Sequence, residues 1–507
     1  MFTSILYPGN RPTTIPFELS LFKDLNLDQI IESVSAPITG YDIEHMYYSP
    51  LNTVEDIEYR HAIFRELENE GLRNVLGAFI EKMEVYQSES NARDSMSDQY
   101  LTQYSFLMSV SIFCEAALQL AHGLRQLDFH SAGFTSFTKY LDEYIQSNEF
   151  KILHDGSTEL KKEIGSIKYS LRIRNRSVQV SAHDGDEQDF SQEIRAFFSK
   201  FQGEKEKEEI KLPLSAEMND VELNVVRLVS YLYPETFESL SKFAETYSGF
   251  FPKTIQDFVR EIQFYFSWLQ YTGPIIKKGY SFVLPRLSCD RKDESVKRCY
   301  DLALAHKACL EGERVVPNDY MLKQPERTII VTGPNQGGKT TFARMFGQLH
   351  YLASLGLPVP AGQAALYLPD RIFTHFEREE KTVQKSGKLQ DDMERMSNIL
   401  QKATSHSMII INEIYSTAPL EDAEFLGQNM LDEIHALDCL CVCVTFIDAL
   451  AKPHKKTVSM VGTVIPGEPG SRTFRLERKP ADGIAYAQAI AERHDLTFTR
   501  IKERLLV

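Results

Sequence analysis

The sequence predicts an α + α/β architecture: a helical region carrying a small β insertion, followed by a domain in which strands and helices alternate. Three observations predict it. Core-type side chains recur at three- and four-residue steps over 53–150 and again over 221–271, as in Ile57, His61, Phe64 and Leu67. Between these stretches Ile167, Tyr169, Leu171 and Ile173 alternate with Lys168, Ser170, Arg172 and Arg174, the period of a strand. Downstream, Thr328–Thr332, Met408–Asn412 and Leu440–Thr445 are short apolar runs bounded by polar or glycine residues, as strands buried in a parallel sheet are.

Residues 1–50 read as an irregular lead, because Pro8, Pro12 and Pro16 interrupt any regular element, with one short helix around Phe22 to Val34. Thr53 followed by Asp56 resembles a capping box at the start of the helical region, placed at 51–289. The β insertion is placed at about 155–190, where Val178 and Val180 continue the alternation past an Asn175–Arg176 turn. The charged run Glu204 to Glu209 reads as solvated helix or linker. After Gly273-Pro274 the composition changes, and the α/β domain is placed at 290–507.

With 507 residues, 43% hydrophobic and 25% charged, the chain can bury substantial cores and is not disordered as a whole. A formal net charge of -15 excludes a global positive field, so any nucleic-acid contact must come from local basic patches. No apolar run reaches the roughly 18 residues that span a bilayer, and residues 1–11 lack a signal-peptide pattern. Seven cysteines without a CxxC pair argue against zinc or disulfides. Cys439, Cys441 and Cys443 read as small apolar side chains on one strand face. The expectation is a cytoplasmic protein with no membrane partner.

The chemistry concentrates in one segment. The β-branched run Thr328–Thr332 leads into Gly333-Pro334-Asn335-Gln336-Gly337-Gly338-Lys339-Thr340, then Thr341 and a helical pattern to Leu355. This is G-x-x-x-x-G-K-[ST] in its strand–loop–helix setting, a phosphate loop for ATP. Glycines let backbone N–H groups converge on phosphate oxygens, and the helix N-terminus adds donors and a favourable dipole. Lys339 is expected on the β- and γ-phosphates and Thr340 on Mg²⁺. The run Met408–Asn412 ends at Glu413, placed to act as the general base that orients an attacking water; Asn412 stands where a magnesium-side carboxylate is usual.

These residues resemble the MutS family. Val331 to Thr340 is similar to its T-G-P-N-M-G-G-K-S loop. Leu355 to Ala361, Asp370 to Thr374 and Asn398 to Thr404 resemble its G-x-x-V-P-A, D-R-I-F-T-R and N-I-L-x-x-A-T segments in order, and Val316 to Asp319 resembles the patch before the loop. The likeness is strong over about 311–450 and looser in the tail at Asp482 to Ile484 and Tyr486. It implies an ABC-type P-loop ATPase domain behind a helical core and lever region, with a clamp-like β insertion. It also implies a short chain without the N-terminal mismatch-reading domain or a C-terminal Smr domain. Phe64-Arg65-Glu66 matches the mismatch wedge only as a string and sits in a predicted helix.

The resemblance further implies a homodimer in which Ser386, Gly387 and Lys388 of one copy form a signature loop over the other copy's phosphates. Gly387 stands where the family has a phosphate-contacting serine, and Phe446 where it has a switch histidine; with Asn412 at the magnesium-side position, these departures lead to an expectation of slow hydrolysis. Lys168, Arg172, Arg174 and Arg176 are the expected contacts to DNA, gripping phosphates without reading sequence. The acidic loop Asp184 to Glu187 opposes them. The expected function is ATP-dependent DNA clamping related to mismatch repair or other repair and recombination. The alternative is a nucleotide-gated scaffold for a ribosome or protein partner, with little turnover. Val315 and Val316 are the candidates for packing on the base.

Overall fold

The computed structural model describes residues 2–9, 18–94, 96–174, 177–183, 220–377, 387–465, 468–481, 496 and 498–505. Two compact units divide the chain: one of Met1–Phe2 and Glu66–Val259, the other of Thr3–Arg65 and Arg260–Val507. The expected divisions at 50 and 289 are not where these units separate.

Residues 3–65 fold with the C-terminal half for a physical reason. The fully buried Arg60 donates through Nε to Leu6 O (3.2 Å) and through Nη1 to Leu355 O (2.6 Å), with its guanidinium over the Tyr7 and Phe264 rings. A buried cation of this kind persists only where carbonyls and ring faces replace its water. The expected helix from Phe22 to Val34 is two helices, Leu19–Asp24 and Leu27–Ser35, because Asn26 between them takes a left-handed φ of 53°. Phe64 lies buried in the helix Val54–Glu66, its ring against Tyr265, and is core rather than wedge. The Thr53 hydroxyl accepts from Asp56 N (3.2 Å) and donates to Asp56 Oδ2 (2.7 Å), so the cap is present.

The helical unit contains Glu70–Asp94, Gln99–Leu124, Ala132–Gln146, Asn148–Ser166, Asp220–Leu232 and Pro234–Thr246. Gln99–Leu124 starts at Asp98, whose Oδ1 accepts from the N–H groups of Tyr100 and Leu101. That helix is long and apolar enough to cross a membrane, but 67% of the qualifying window is buried inside the fold, as for a core helix. The β insertion starts later than expected. Residues 155–166 continue the helix Asn148–Ser166, since Phe150, Leu153, Ser157 and Leu160 bury one face at helical spacing. Among the described residues β1 (Tyr169–Arg174) and β2 (Ser177–Ala182) follow, an antiparallel hairpin with Leu171 opposite Val180. Asn175, Arg176, Asp184 to Glu187 and Glu204 to Glu209 lie outside the described residues.

The helix Lys253–Lys277 runs through Pro274, and the chain turns at Gly279, φ 93°. Two sheets then form. β3 (Arg286–Ser288), β4 (Glu294–Cys299), β5 (Asn318–Leu322) and β7 (Gln363–Tyr367) make one, in the order β3-β7-β4-β5. The other comprises β6 (Thr328–Thr332), β8 (Ile372–Phe376), β9 (Met408–Asn412), β10 (Leu440–Val444), β11 (Thr457–Ile465) and β12 (Glu468–Arg478), in the order β12-β11-β6-β10-β9-β8. All its neighbours pair in parallel except β11 with β12. Every residue of β6, β9 and β10 is buried, as the unbroken apolar runs predict, and Cys439, Cys441 and Cys443 lie in the core between β10 and its covering helices.

Opposite the carboxyl ends of these strands, the helix Leu420–Leu437 ends on Asp438, φ 58°. Its carboxylate receives Lys456 (2.7 Å), Arg327 (3.2 Å) and Lys292 (3.3 Å), which stand just before β11, β6 and β4. Burial raises the Asp438 pKa, but the Lys456 hydrogen bond, the charge and hydrogen bond of Arg327 and the charge of Lys292 outweigh it and bring the carboxyl down to about 2. With the folded pKa below the unfolded value of about 3.9, this stabilisation is complete above the unfolded pKa and disappears as pH falls towards the folded one. Asp438→Asn tolerates the left-handed backbone and removes only the charge. It is therefore expected to lower the thermal midpoint at pH 7, with the gap to the parent closing between about pH 5 and pH 2. A gap independent of pH in thermal melts would refute this.

Candidate functional site

Register assembles the site. Val444 of β10 pairs with Val331 of β6 on one side and with Asn412 of β9 on the other. The residues that follow these strands, Gly333, Glu413 and Phe446, therefore emerge along one edge of the sheet, where open parallel sheets bind ligands.

The loop after β6 is built for close backbone approach. Gly333 has φ 120°, and a Cβ there would lie 2.8 Å from Gly462 N on β11. A Cβ at Gly337 would lie 2.9 Å from Pro334 O. Gln336 (φ 59°) and Gly338 (φ 89°) turn the chain into the helix Lys339–Ser354, which has no side-chain N-cap. The first N–H groups of that helix thus point out without a capping side chain, the arrangement that receives an anion. Thr341 follows in the same turn and lines the cavity described below.

Lys339 is buried. Its Nζ donates to Gly333 O (3.0 Å), Pro334 O (3.2 Å) and Asn335 Oδ1 (3.3 Å), and lies 4.4 Å from the centre of the Phe446 ring. Burial lowers its pKa, Glu413 and Asp448 act to raise it, and Arg472 lowers it. Thr340 Oγ1 donates to Asn412 Oδ1 (3.0 Å), so the two residues expected to hold Mg²⁺ are neighbours. Glu413 stands at φ 60° with its N–H on Val444 O (2.9 Å). Burial raises its carboxyl pKa, Lys339 lowers it, and Glu377 raises it.

A cavity of about 540 Å³ opens from this loop. Its lining combines Lys339, Thr340 and Glu413 with the apolar Leu304, Ala308, Val315, Val316, Phe342 and Phe474. A polyanion at the uncapped helix start and a flat apolar group against the apolar lining are what these surfaces complement, so the residues fit a nucleoside triphosphate with a divalent metal. Sequence reasoning missed Phe474 and Arg472. Both lie on the β11–β12 hairpin, which folds back so that Arg472 Nε donates to Asn335 O (3.1 Å). Asn318 ties this hairpin to the wall, donating to Phe474 O (3.1 Å) and accepting from Leu476 N (2.8 Å). Their only sequence signal was position on a strand; the left-handed φ of 58° at Phe474 is a tertiary effect.

Other expected residues are not gathered here. Gly387 precedes the helix Lys388–Lys402, so Lys388 to Asp392 are helical rather than loop, and neither Gly387 nor Lys388 lines the cavity. Lys388 pairs with Glu377. Ser386 lies outside the described residues, as do Asp482 to Ile484 and Tyr486. Lys168 and Arg172 belong to the helical unit: Lys168 precedes β1 and its carbonyl accepts from Tyr233 Oη (2.6 Å), while Arg172 is exposed on β1 opposite Gln179. Arg174 ends β1 opposite Ser177, and Arg176 is not described.

Residues 329–492 match the family model for MutS domain V. The chain is 26% identical over 173 residues to the DNA mismatch repair protein MutS of Thermotoga maritima, covering 34% of this chain and 22% of that protein. It is 27% identical over 214 residues to that of Thermus thermophilus (38% and 26%), and 30% identical over 142 residues to that of Erythrobacter litoralis (28% and 16%). The matched part thus spans at most about a quarter of these relatives' length.

The tight approach of Gly333 to Gly462 gives a direct test. Gly333→Ala must strain a left-handed backbone and push on backbone atoms, a cost of about 1–3 kcal/mol. Thermal melts should show a midpoint lower by at least about 2 °C. Gly387→Ala, at φ −66° with nothing within 4 Å of the new Cβ, should leave it unchanged. Equal effects from the two substitutions would refute the close-packed loop.

Proposed function

We propose, from the premise that this chain is a MutS-family protein, that it is an ATP-dependent DNA-binding protein of the MutS type, active as a homodimer in the cytoplasm. Its nucleotide state would control clamping on DNA, in mismatch repair or another repair or recombination process. The observation that carries this reading is the buried Lys339 ammonium beside an uncapped helix start, in a cavity with a partly apolar lining.

Each residue has a role. Lys339 and the N–H groups of 333–341 bind the phosphates, and Val315, Val316 and Phe474 pack on the base. Thr340 and Asn412 hold Mg²⁺, which when bound supplies positive charge at the β- and γ-phosphates. Glu413 orients water as general base. Gly387 and Lys388, with Ser386, serve the second copy's site, which fits their place outside this chain's own cavity. Lys168, Arg172, Arg174 and Arg176 contact DNA phosphates.

A second reading, a nucleotide-gated scaffold with little turnover, is favoured by two observations. Asn412 brings no charge to the metal, and Phe446, half-exposed over Lys339, cannot hydrogen-bond a phosphate or its water. Slow turnover is common to both readings; DNA separates them.

Steady-state ATPase measured with and without duplex DNA should rise severalfold with DNA and lose that rise with added salt. Lys168→Glu/Arg172→Glu should abolish the stimulation and keep basal turnover. ATP binding with no DNA retention at any salt concentration would leave the scaffold reading. Glu413→Gln should keep nucleotide binding and cut turnover by roughly 10²–10⁴-fold. Because its carboxyl pKa is raised, turnover should fall on the acid side from a pH above the ordinary glutamate range. A pH-independent rate would deny Glu413 the base role.

A further inference from the structure

We infer that Tyr280 is a positioning residue for the base end of the cavity, and that a row of packed aromatic rings carries the occupancy of that end to Trp268. The inference rests on the nucleotide reading of the cavity. Tyr280 Oη accepts from Val315 N (2.6 Å) and donates to Val315 O (3.5 Å), so one hydroxyl holds both polar groups of a residue in the base wall.

From Tyr280 the rings run in sequence. Tyr280 and Tyr300 have centroids 4.8 Å apart, Tyr300 and Phe282 6.1 Å, and Phe282 and Trp268 6.3 Å, the last two edge-to-face. Tyr300 itself lines the cavity, is 2% exposed, and donates to Ser281 O (3.0 Å). A second branch leaves Trp268 through Tyr271 (5.8 Å) to His306 (4.8 Å), on the helix Leu302–Glu311 that supplies Leu304 and Ala308 to the same wall. Trp268 is the chain's single tryptophan, 1% exposed, on the helix Lys253–Lys277. Close-packed side chains do not absorb a displacement locally; they pass it on.

None of these rings is Lys339, Thr340 or Glu413. The signal therefore depends on the base and not on the γ-phosphate: ADP should act as ATP does, and inorganic tripolyphosphate should not act at all.

The test is Trp268 emission of the full chain, titrated with Mg²⁺ and ADP, ATP or tripolyphosphate, with binding followed separately by calorimetry. ADP and ATP at saturation should shift the emission equally, and tripolyphosphate should bind without a shift. Tyr280→Phe should bind ADP within about tenfold of the parent, the worth of one net hydrogen bond, and lose most of the shift. Phe282→Leu, which interrupts the row away from the cavity lining, should keep binding and lose the shift as well. Nucleotide binding with unchanged emission, an undiminished shift in Phe282→Leu, or a shift with tripolyphosphate would overturn the inference. If calorimetry finds no nucleotide binding at all, the nucleotide reading fails first and this inference fails with it.

Discussion

The pairing register of three buried parallel strands is the constraint on which the rest of the structure depends. Val444 faces Val331 on one side and Asn412 on the other, and that row fixes where Gly333, Glu413 and Phe446 leave the sheet. A slip of one residue in β9 would turn Glu413 to the other side of the sheet and bring the wrong side chains against each covering layer, since all five residues of each strand are buried. The apolar interior thus sets the site geometry. Lys339 then enters a loop whose carbonyls already satisfy its ammonium, so the charge is kept buried at an edge where an anion can replace those weaker partners.

Beside Lys339 and Thr340 the site carries neutral side chains at two positions where charge or a hydrogen bond could stand. Asn412 meets Thr340 through an amide oxygen, Phe446 lays a ring on Lys339, and Glu413 is the one carboxylate among Lys339, Thr340, Asn412 and Phe446. An amide brings less charge to a cation than a carboxylate, and a phenyl ring offers no hydrogen bond to an anion. On the proposed reading both features favour ligand capture over turnover. On the proposed nucleotide reading, main-chain donors of the loop after β6 would meet the phosphates, and side chains from the helix Leu302–Glu311, the β11–β12 hairpin and Val315 would meet the base.

Local patterns with one dominant physical cause were legible in the sequence. The unbroken apolar runs read as buried strands and are buried strands in the fold, and the glycine spacing before Lys339 read as a strand–loop–helix turn and is one. The Thr53 cap and the buried cysteines of β10 were legible for the same reason. What escaped were effects fixed by distant partners. Residues 3–65 join the second unit because Arg60 finds its acceptors at Leu6 and Leu355, and no local pattern encodes that pairing. Residues 155–166 stay helical because their apolar face is covered, overriding the nearby strand period. Phe474 and Arg472 reach the site through a hairpin whose return path is set by Asn318, a contact spanning more than 150 residues.

Calorimetric titration of the purified chain with Mg²⁺–ATP, alongside Lys339→Ala, tests the central claim most directly. Saturable binding by the parent, weakened at least about a hundredfold in the variant by loss of a charge-assisted contact, is the predicted result. No binding by the parent, or equal affinity in both proteins, would contradict the account.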